Sequence, residues 1–155
     1  GIKLPVERVL ADNHSLHVQL LQRSRKGIAE ISGFWAHSRW RGTGLGSALV
    51  RVAIAAMPLL GAEQGIAFSH HHMRSLVTPI GWVFDPEAGR IPYPDARYDS
   101  SVIWIDPITL RNAEPAQRAL IFDLRATLRR RGEIQWSLAH GEMSGEQMHM
   151  EARSP

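Results

Sequence analysis

The chain has no cysteine. That excludes disulfides, thiolate zinc sites and a cysteine nucleophile, and it fits a cytoplasmic protein. No apolar run reaches the eighteen or so residues that a membrane span requires. The first residues lack the charged-then-apolar layout of a secretory signal. Internal repeats and long linkers are absent as well. Charge of one sign is in short supply: 18 Lys and Arg against 15 Asp and Glu leave a net charge of +3. Much of it sits at Arg129-Arg130-Arg131, which reads as a helix C-terminus favouring cations. A nucleic-acid partner would need a broader basic face, so none is expected.

What remains is ordinary globular material. A length of 155 residues with 44% hydrophobic content suits one compact domain. We expect that domain over 1–140 and a frayed polar tail over 141–155. Leu4–Leu10 reads as extended. Asp12 or Asn13 can cap a helix carrying Leu16, Leu20 and Leu21, although Leu16, Val18 and Leu20 also alternate like a strand. Ile28–His37 reads as a strand, and Ser47–Leu60 as a helix with Leu49, Val52, Ala53 and Ala56 inward, stopped by Pro58 and Gly61. Ile66–Phe68 is a short buried strand. A helix over Met73–Val77 is broken by Pro79 and Gly81. Ser101–Ile105 is a strand. Asn112 can cap a last helix over Glu114–Arg131, with Leu120, Ile121, Leu124 and Leu128 inward. Gly132 would end it, and Ile134–Leu138 would form another strand. The alternation predicts an α/β or α+β sheet domain.

One stretch stands out, from Phe34 through Arg41-Gly42-Thr43-Gly44-Leu45-Gly46-Ser47 into Ala48-Leu49-Val50. Glycines lack Cβ atoms, so several backbone N–H groups can point at one anion. The helix behind them adds the positive end of its dipole. This is a phosphate cradle on physical grounds. A Walker loop would need Lys and then Ser or Thr after the second glycine, but Ser47 and Ala48 follow Gly46. A dinucleotide turn would need a third glycine and an acid closing the next strand. Here the third position is Ser47, and Glu63 precedes the next strand. A tight turn that merely needs glycine is the remaining structural alternative.

The spacing Arg41-x-x-Gly44-x-Gly46 resembles the acyl-coenzyme A signature of the GNAT acetyltransferase superfamily, where it grips the donor's pyrophosphate. A second GNAT signature, Asn-x-x-Ala-x-x-x-Tyr-x-x-x-Gly-Phe, aligns on Gly81-Trp82. His70 then takes the Asn position, Met73 the Ala and Val77 the Tyr that usually protonates the leaving thiolate. Ala29-Glu30-Ile31-Ser32, His72–Leu76 with Ile80-Gly81-Trp82, and Gly89–Tyr93 resemble autoinducer synthases, N-acyl amino acid synthases and exosortase-associated acyltransferases. Gly33 stands where autoinducer synthases carry the Arg of Glu-x-Ser-Arg. The likeness covers roughly Leu4–Pro107. It implies a GNAT-like central mixed sheet flanked by helices, without the strand and helices that normally precede the Glu30 strand. An exposed sheet edge would then favour a homodimer.

The resemblance implies transfer of an acyl group from acyl-CoA or acyl carrier protein to the amine of a small molecule such as an amino acid, with no permanent cofactor. A non-catalytic CoA-binding or interaction module is the alternative. The donor would rest on Trp35, His37, Arg41, Gly42, Thr43, Gly44, Leu45, Gly46 and Ser47. Glu30, at the position of the group's conserved acid, would act as general base or orient the amine, with burial beside Phe34 and Trp35 raising its pKa. His70 is a second catalytic candidate. His70 and His72 could share a face at a strand end, but no third ligand accompanies them, so no metal is expected. His72, Arg74 and Trp82 are candidates for the acceptor pocket, Arg74 through a bidentate carboxylate pair. Tyr93 and Tyr98 are spare candidates for the missing acid.

Overall fold

The computed structural model describes residues 4–33, 37–93 and 95–140. The N-terminal segment is helical where the sequence suggested extension: α1 spans Pro5–Val9, with Pro at its start, where the lost N–H costs nothing. Val6 turns inward and is 1% exposed. Helix α2 spans His14–Ser24, and Asn13 caps it by accepting the Leu16 N–H at 2.9 Å. Leu16 and Leu20 form its buried stripe, so the helical spacing prevails over the alternating one.

Strand β1 covers only Ile28–Ile31, shorter than the expected Ile28–His37. The chain bends at Ser32–Gly33, where Gly33 takes φ +64°. A 3-10 turn over Ser38–Trp40 leads to α3, Leu45–Ala56. A further 3-10 turn over Met57–Leu60 ends at Gly61 with φ +80°. The inward residues of α3 are Val50, Ile54 and Ala55, whereas Leu49 and Val52 are exposed. The expected stripe was therefore rotated about one residue. Strand β2 runs Gln64–His70, followed by a 3-10 turn over His71–Met73 and α4, Arg74–Val77. Strands β3, Val83–Phe84, and β4, Ser100–Ile105, complete a four-stranded mixed sheet in the order β1-β2-β4-β3. The parallel pair β1–β2 requires a crossover, and α3 supplies it.

The last helix, α5, runs Pro115–His140. Glu114, not Asn112, immediately precedes it. Gly132 does not stop it, and Ile134–Leu138 continue the helix instead of forming a strand. Gly132 lies on an exposed stretch and nothing contests its helical backbone. Arg129–Arg131 are consequently mid-helix residues on an exposed face, not a C-terminal cap. Leu120 is exposed, while Ile121, Leu124 and Leu128 face the core. Among the described residues no helix is long and apolar enough to cross a membrane.

Two apolar layers sandwich the sheet. On one face Ala67, Ile103 and Ile105 pack with α3 and α5. On the other, Ile66, Val102 and Trp104 pack with α1 and α2. Gly65 is needed for the first layer: a Cβ there would lie 2.5 Å from Ile105 Cγ2 and 2.8 Å from Met57 Sδ. The tail at 141–155 lies outside the described residues.

Candidate active site

Parallel strands β1 and β2 pair from Ile28↔Gln64 to Ile31↔Ala67 and then part. Strand β2 continues on its other side against β4, through Phe68↔Val102, Ser69↔Ser101 and His70↔Ser100. From Phe68 to His70, then, the side of β2 facing β1 has no strand partner among the described residues. That edge of β2 carries backbone N–H and C=O groups.

The glycine loop leads into α3. Gly42 and Gly44 adopt φ +77° and +81°, a region where a Cβ would meet its own backbone. Gly44 caps α3 with no side-chain hydrogen bond. The first-turn N–H groups of a helix have no partner within it. Leu45 N is 3.4 Å from Thr43 Oγ1, and Ala48 N already bonds Gly44 O at 3.0 Å. A Cβ at Gly42, Gly44 or Gly46 would meet nothing within 4 Å. Among the described residues no side chain fills the bend, and the loop is exposed. The Thr43 hydroxyl donates to Trp40 O at 2.7 Å and so stiffens the turn. His37 Nδ1 accepts the Arg39 N–H at 3.1 Å. Trp35 lies outside the described residues, as does Phe34.

Alternation along the strands puts Glu30, Ile66, Phe68 and His70 on the face that α1 and α2 cover in part. Glu30 Oε2 accepts the Val6 N–H at 3.1 Å, satisfying one of the free donors at the start of α1. Burial pushes the Glu30 carboxyl above its usual value. The Val6 hydrogen bond opposes this and the nearby Glu7 carboxylate adds to it. Phe34 and Trp35, named from the sequence as the source of that burial, lie outside the described residues. Glu30 pairs with Ile66, so His70 lies four residues further along β2, about 13 Å in the strand direction. The two candidates share a face without touching.

At the far end of β2 a compact polar and aromatic cluster forms. His70 Nδ1 is 2.6 Å from Ser100 Oγ, and Ser100 Oγ donates to Tyr93 O at 2.9 Å. The His70 ring stacks with Tyr98 at 4.8 Å and with His72 at 5.5 Å between centroids. His72 lies beyond the strand end, in the 3-10 turn, so stacking and not strand alternation brings the two histidines together. Tyr93 packs edge-on against Phe68 at 5.2 Å. Ser100 is fully buried. A serine opening a strand carries no pattern of its own; only its cross-strand pairing with His70 reveals it. Among the described residues no group of three or more potential ligands could hold a metal ion.

The other predicted residues separate. Arg74 is exposed, with its guanidinium 4.7 Å over the Phe84 ring. Trp82 is 2% exposed, packed in the layer that α3 and α5 build, and its indole N–H has no partner among the described residues. Val77 is buried in the same layer, so the side chain at that position is part of the core. A cleft of about 690 Å³ lies at the opposite end of the sheet, between α2 and the β3–β4 edge. Asp85 is buried beside it. Burial would raise this carboxyl, but hydrogen bonds from Trp104 Nε1, the Glu87 N–H, Gln19 Nε2 and the Ala88 N–H outweigh it and hold it below the usual value.

Residues 12–76 match the acetyltransferase (GNAT) family. That stretch runs from α2 through β1, the glycine loop, α3 and β2 into α4. The chain is similar to an uncharacterized protein of Mycobacterium bovis and to uncharacterized proteins of two Mycobacterium tuberculosis strains. Each is 34% identical over 113 residues, covering 69% of this chain and 42% of the relative. The chain therefore spans less than half the length of these relatives. No solved structure matches it. The matched stretch and the helix-flanked mixed sheet agree with each other, and it is over residues 12–76 that the chain is similar to the acetyltransferase (GNAT) family.

Proposed function

We propose that the chain carries an N-acyltransferase site that takes an acyl group from acyl-CoA or an acyl carrier protein and passes it to a small amine, such as an amino acid. The observation that carries this reading is a glycine-built helix start, open among the described residues, in the crossover of a strand pair whose described pairing ends at Ile31↔Ala67 while β2 runs on. The first suits the donor's phosphates. The second leaves backbone donors beside the thioester carbonyl, where they would stabilise the oxyanion. Arg41 adds charge to the cradle. Glu30, with its raised pKa, and His70 are the candidate bases, and Tyr98 is a candidate acid for the leaving thiolate. His72 flanks the acceptor side, and Arg74 reaches it only by leaving Phe84. A homodimer formed through the outer edge of β1 belongs to the same reading.

Amide formation is then simple to balance. The amine nitrogen bonds to the carbonyl carbon and loses a proton to the base. The carbon–sulfur bond breaks, and the thiolate leaves and is protonated. Thiol release against a panel of acyl-CoA donors and amino acids tests this directly. Gly46→Val is the sharpest variant, because Gly46 has ordinary helical backbone and open space around it. It should leave the melting temperature unchanged or higher, while donor affinity falls at least about tenfold through loss of the cradle. Unchanged affinity would remove the loop from the site.

A second reading is favoured by one observation. Val77 is buried core where GNAT enzymes usually carry the Tyr acid. A binding module without turnover would show donor binding but no amine-dependent thiol release.

A further inference from the structure

We propose that Ser100 is a positioning residue that fixes His70 as its Nδ1–H tautomer, leaving Nε2 as the proton-accepting nitrogen of the acyl-transfer base. The inference rests on the acyl-transfer reading for the word base, and on geometry alone for the tautomer.

A serine hydroxyl has one hydrogen to give. Ser100 Oγ lies 2.9 Å from Tyr93 O and 2.6 Å from His70 Nδ1. A carbonyl oxygen can only accept. If the hydroxyl hydrogen pointed at His70, two oxygens would face each other at 2.9 Å with no hydrogen between them. Ser100 is fully buried, which leaves it no water to turn to. Its hydrogen therefore goes to Tyr93 O, and its lone pair must receive a hydrogen from His70 Nδ1. The donor chain imidazole → serine → carbonyl leaves one arrangement for a neutral ring: Nδ1 protonated, Nε2 bare. Free imidazole side chains prefer the opposite tautomer, so the choice is imposed by the site. The same logic of a fixed partner selecting the working nitrogen operates wherever a histidine serves as a base. Tyr98 and His72, stacked with the ring, restrict its rotation about χ2.

The fold supplies this with little freedom. His70 and Ser100 are a direct cross-strand pair at the end of β2 and the start of β4. Ser100 is held on its other edge by the mutual Ile91 backbone bonds of 2.8 and 3.0 Å. In the reaction the amine nitrogen would bond to the thioester carbon as its proton passes to Nε2. The carbon–sulfur bond would break, and the imidazolium would return that proton to the departing sulfur. The products are an amide and a thiol, with His70 neutral again.

The test is nitrogen NMR of the ¹⁵N-labelled full chain at a pH where its imidazoles are neutral. His70 is assigned by its disappearance in His70→Gln. His70 should show a protonated Nδ1 and a bare Nε2. Ser100→Ala should move the population toward Nε2–H, and Ser100→Thr, which keeps a hydroxyl, should restore it. Where thiol release is measurable, Ser100→Ala should lower kcat by roughly tenfold or more with donor KM unchanged. A wild-type spectrum with Nε2–H, obtained without any substitution, overturns the proposal. So does a tautomer that is unchanged in a folded Ser100→Ala. Full turnover in His70→Gln overturns the role as base while acyl transfer survives. No turnover with any donor and amine, beside the expected tautomer, overturns acyl transfer and that role together and leaves the tautomer lock in place.

Discussion

Glu30 ties two consequences to one carboxyl. It braces α1 through the Val6 N–H, and its own pKa is raised chiefly by burial. The direction of the shift sets the sign of its effect on stability. A carboxyl that holds its proton more tightly when folded contributes stability below its unfolded pKa, and that contribution is lost as pH rises through the folded value. At neutral pH the charged Glu30 therefore works against the fold. Glu30→Gln keeps an oxygen for the Val6 N–H and removes the charge. It should raise the melting temperature at pH 7 by on the order of 1 °C, and the gain should vanish at pH 4. A thermal melt at both values checks this, and a lower midpoint at pH 7 would contradict it. The same variant in the thiol-release assay, set beside His70→Gln, identifies the base, because only the true one should cost about a hundredfold.

The glycines are best compared at the scale of elements. Gly27 and Gly44 both sit at positive φ, +72° and +81°, but their surroundings differ. A Cβ at Gly27 would collide with the carbonyl oxygen of Gly61, whereas one at Gly44 would meet open space. Gly44→Ala should thus cost only its backbone strain, about 1–2 kcal/mol. Gly27→Ala adds a backbone collision at the base of the β1–β2 crossover and should cost about 3 kcal/mol or more. Denaturant titration of the two variants ranks them; equal losses would contradict the assignment of Gly44 to binding. The elements also mark how far the sequence could be read. Asn13, the apolar spacing of α2, the strand at Ile66–Phe68 and the glycine turn were legible because each has a local cause. The extent of α5 was not, since Gly132 breaks a helix only when nothing else carries it through, and its flanking turns do. The inward stripe of α3 is not fixed by sequence because Leu49, Val50 and Val52 are all apolar, and packing against the sheet and α5 selects among them. Of the candidate site, the anion cradle could be read from glycine spacing. The His70–Ser100 pair could not, because thirty residues of chain separate its members and only strand register joins them.

The molecule as a whole is two layers held across one sheet, and Asp85 is where the α2 layer is fastened. Its carboxylate receives hydrogen bonds from α2 through Gln19, from β4 through Trp104, and from the following turn. Its lowered pKa means that this stability is present above the unfolded value and is lost as pH falls through the folded one. Asp85→Asn would turn one acceptor into a donor facing other donors. It should cost about 2–3 kcal/mol, visible as a lower denaturant midpoint at pH 7 that converges with wild type in acid. An unchanged midpoint would mean that Asp85 is not what fastens α2.

One last consequence follows from the base of the crossover. Glu63 and Gln64 donate to the carbonyls of Lys26 and Gly27, at 3.0 to 3.2 Å, so the chain just before β1 is clasped to the chain just before β2. The long excursion through the glycine turn is a closed handle with both ends riveted to the body. Whatever the handle does when an anion arrives or departs, the rivet keeps both strands in step. A protease cut at the exposed stretch 38–44 should leave two fragments that stay together and remain folded.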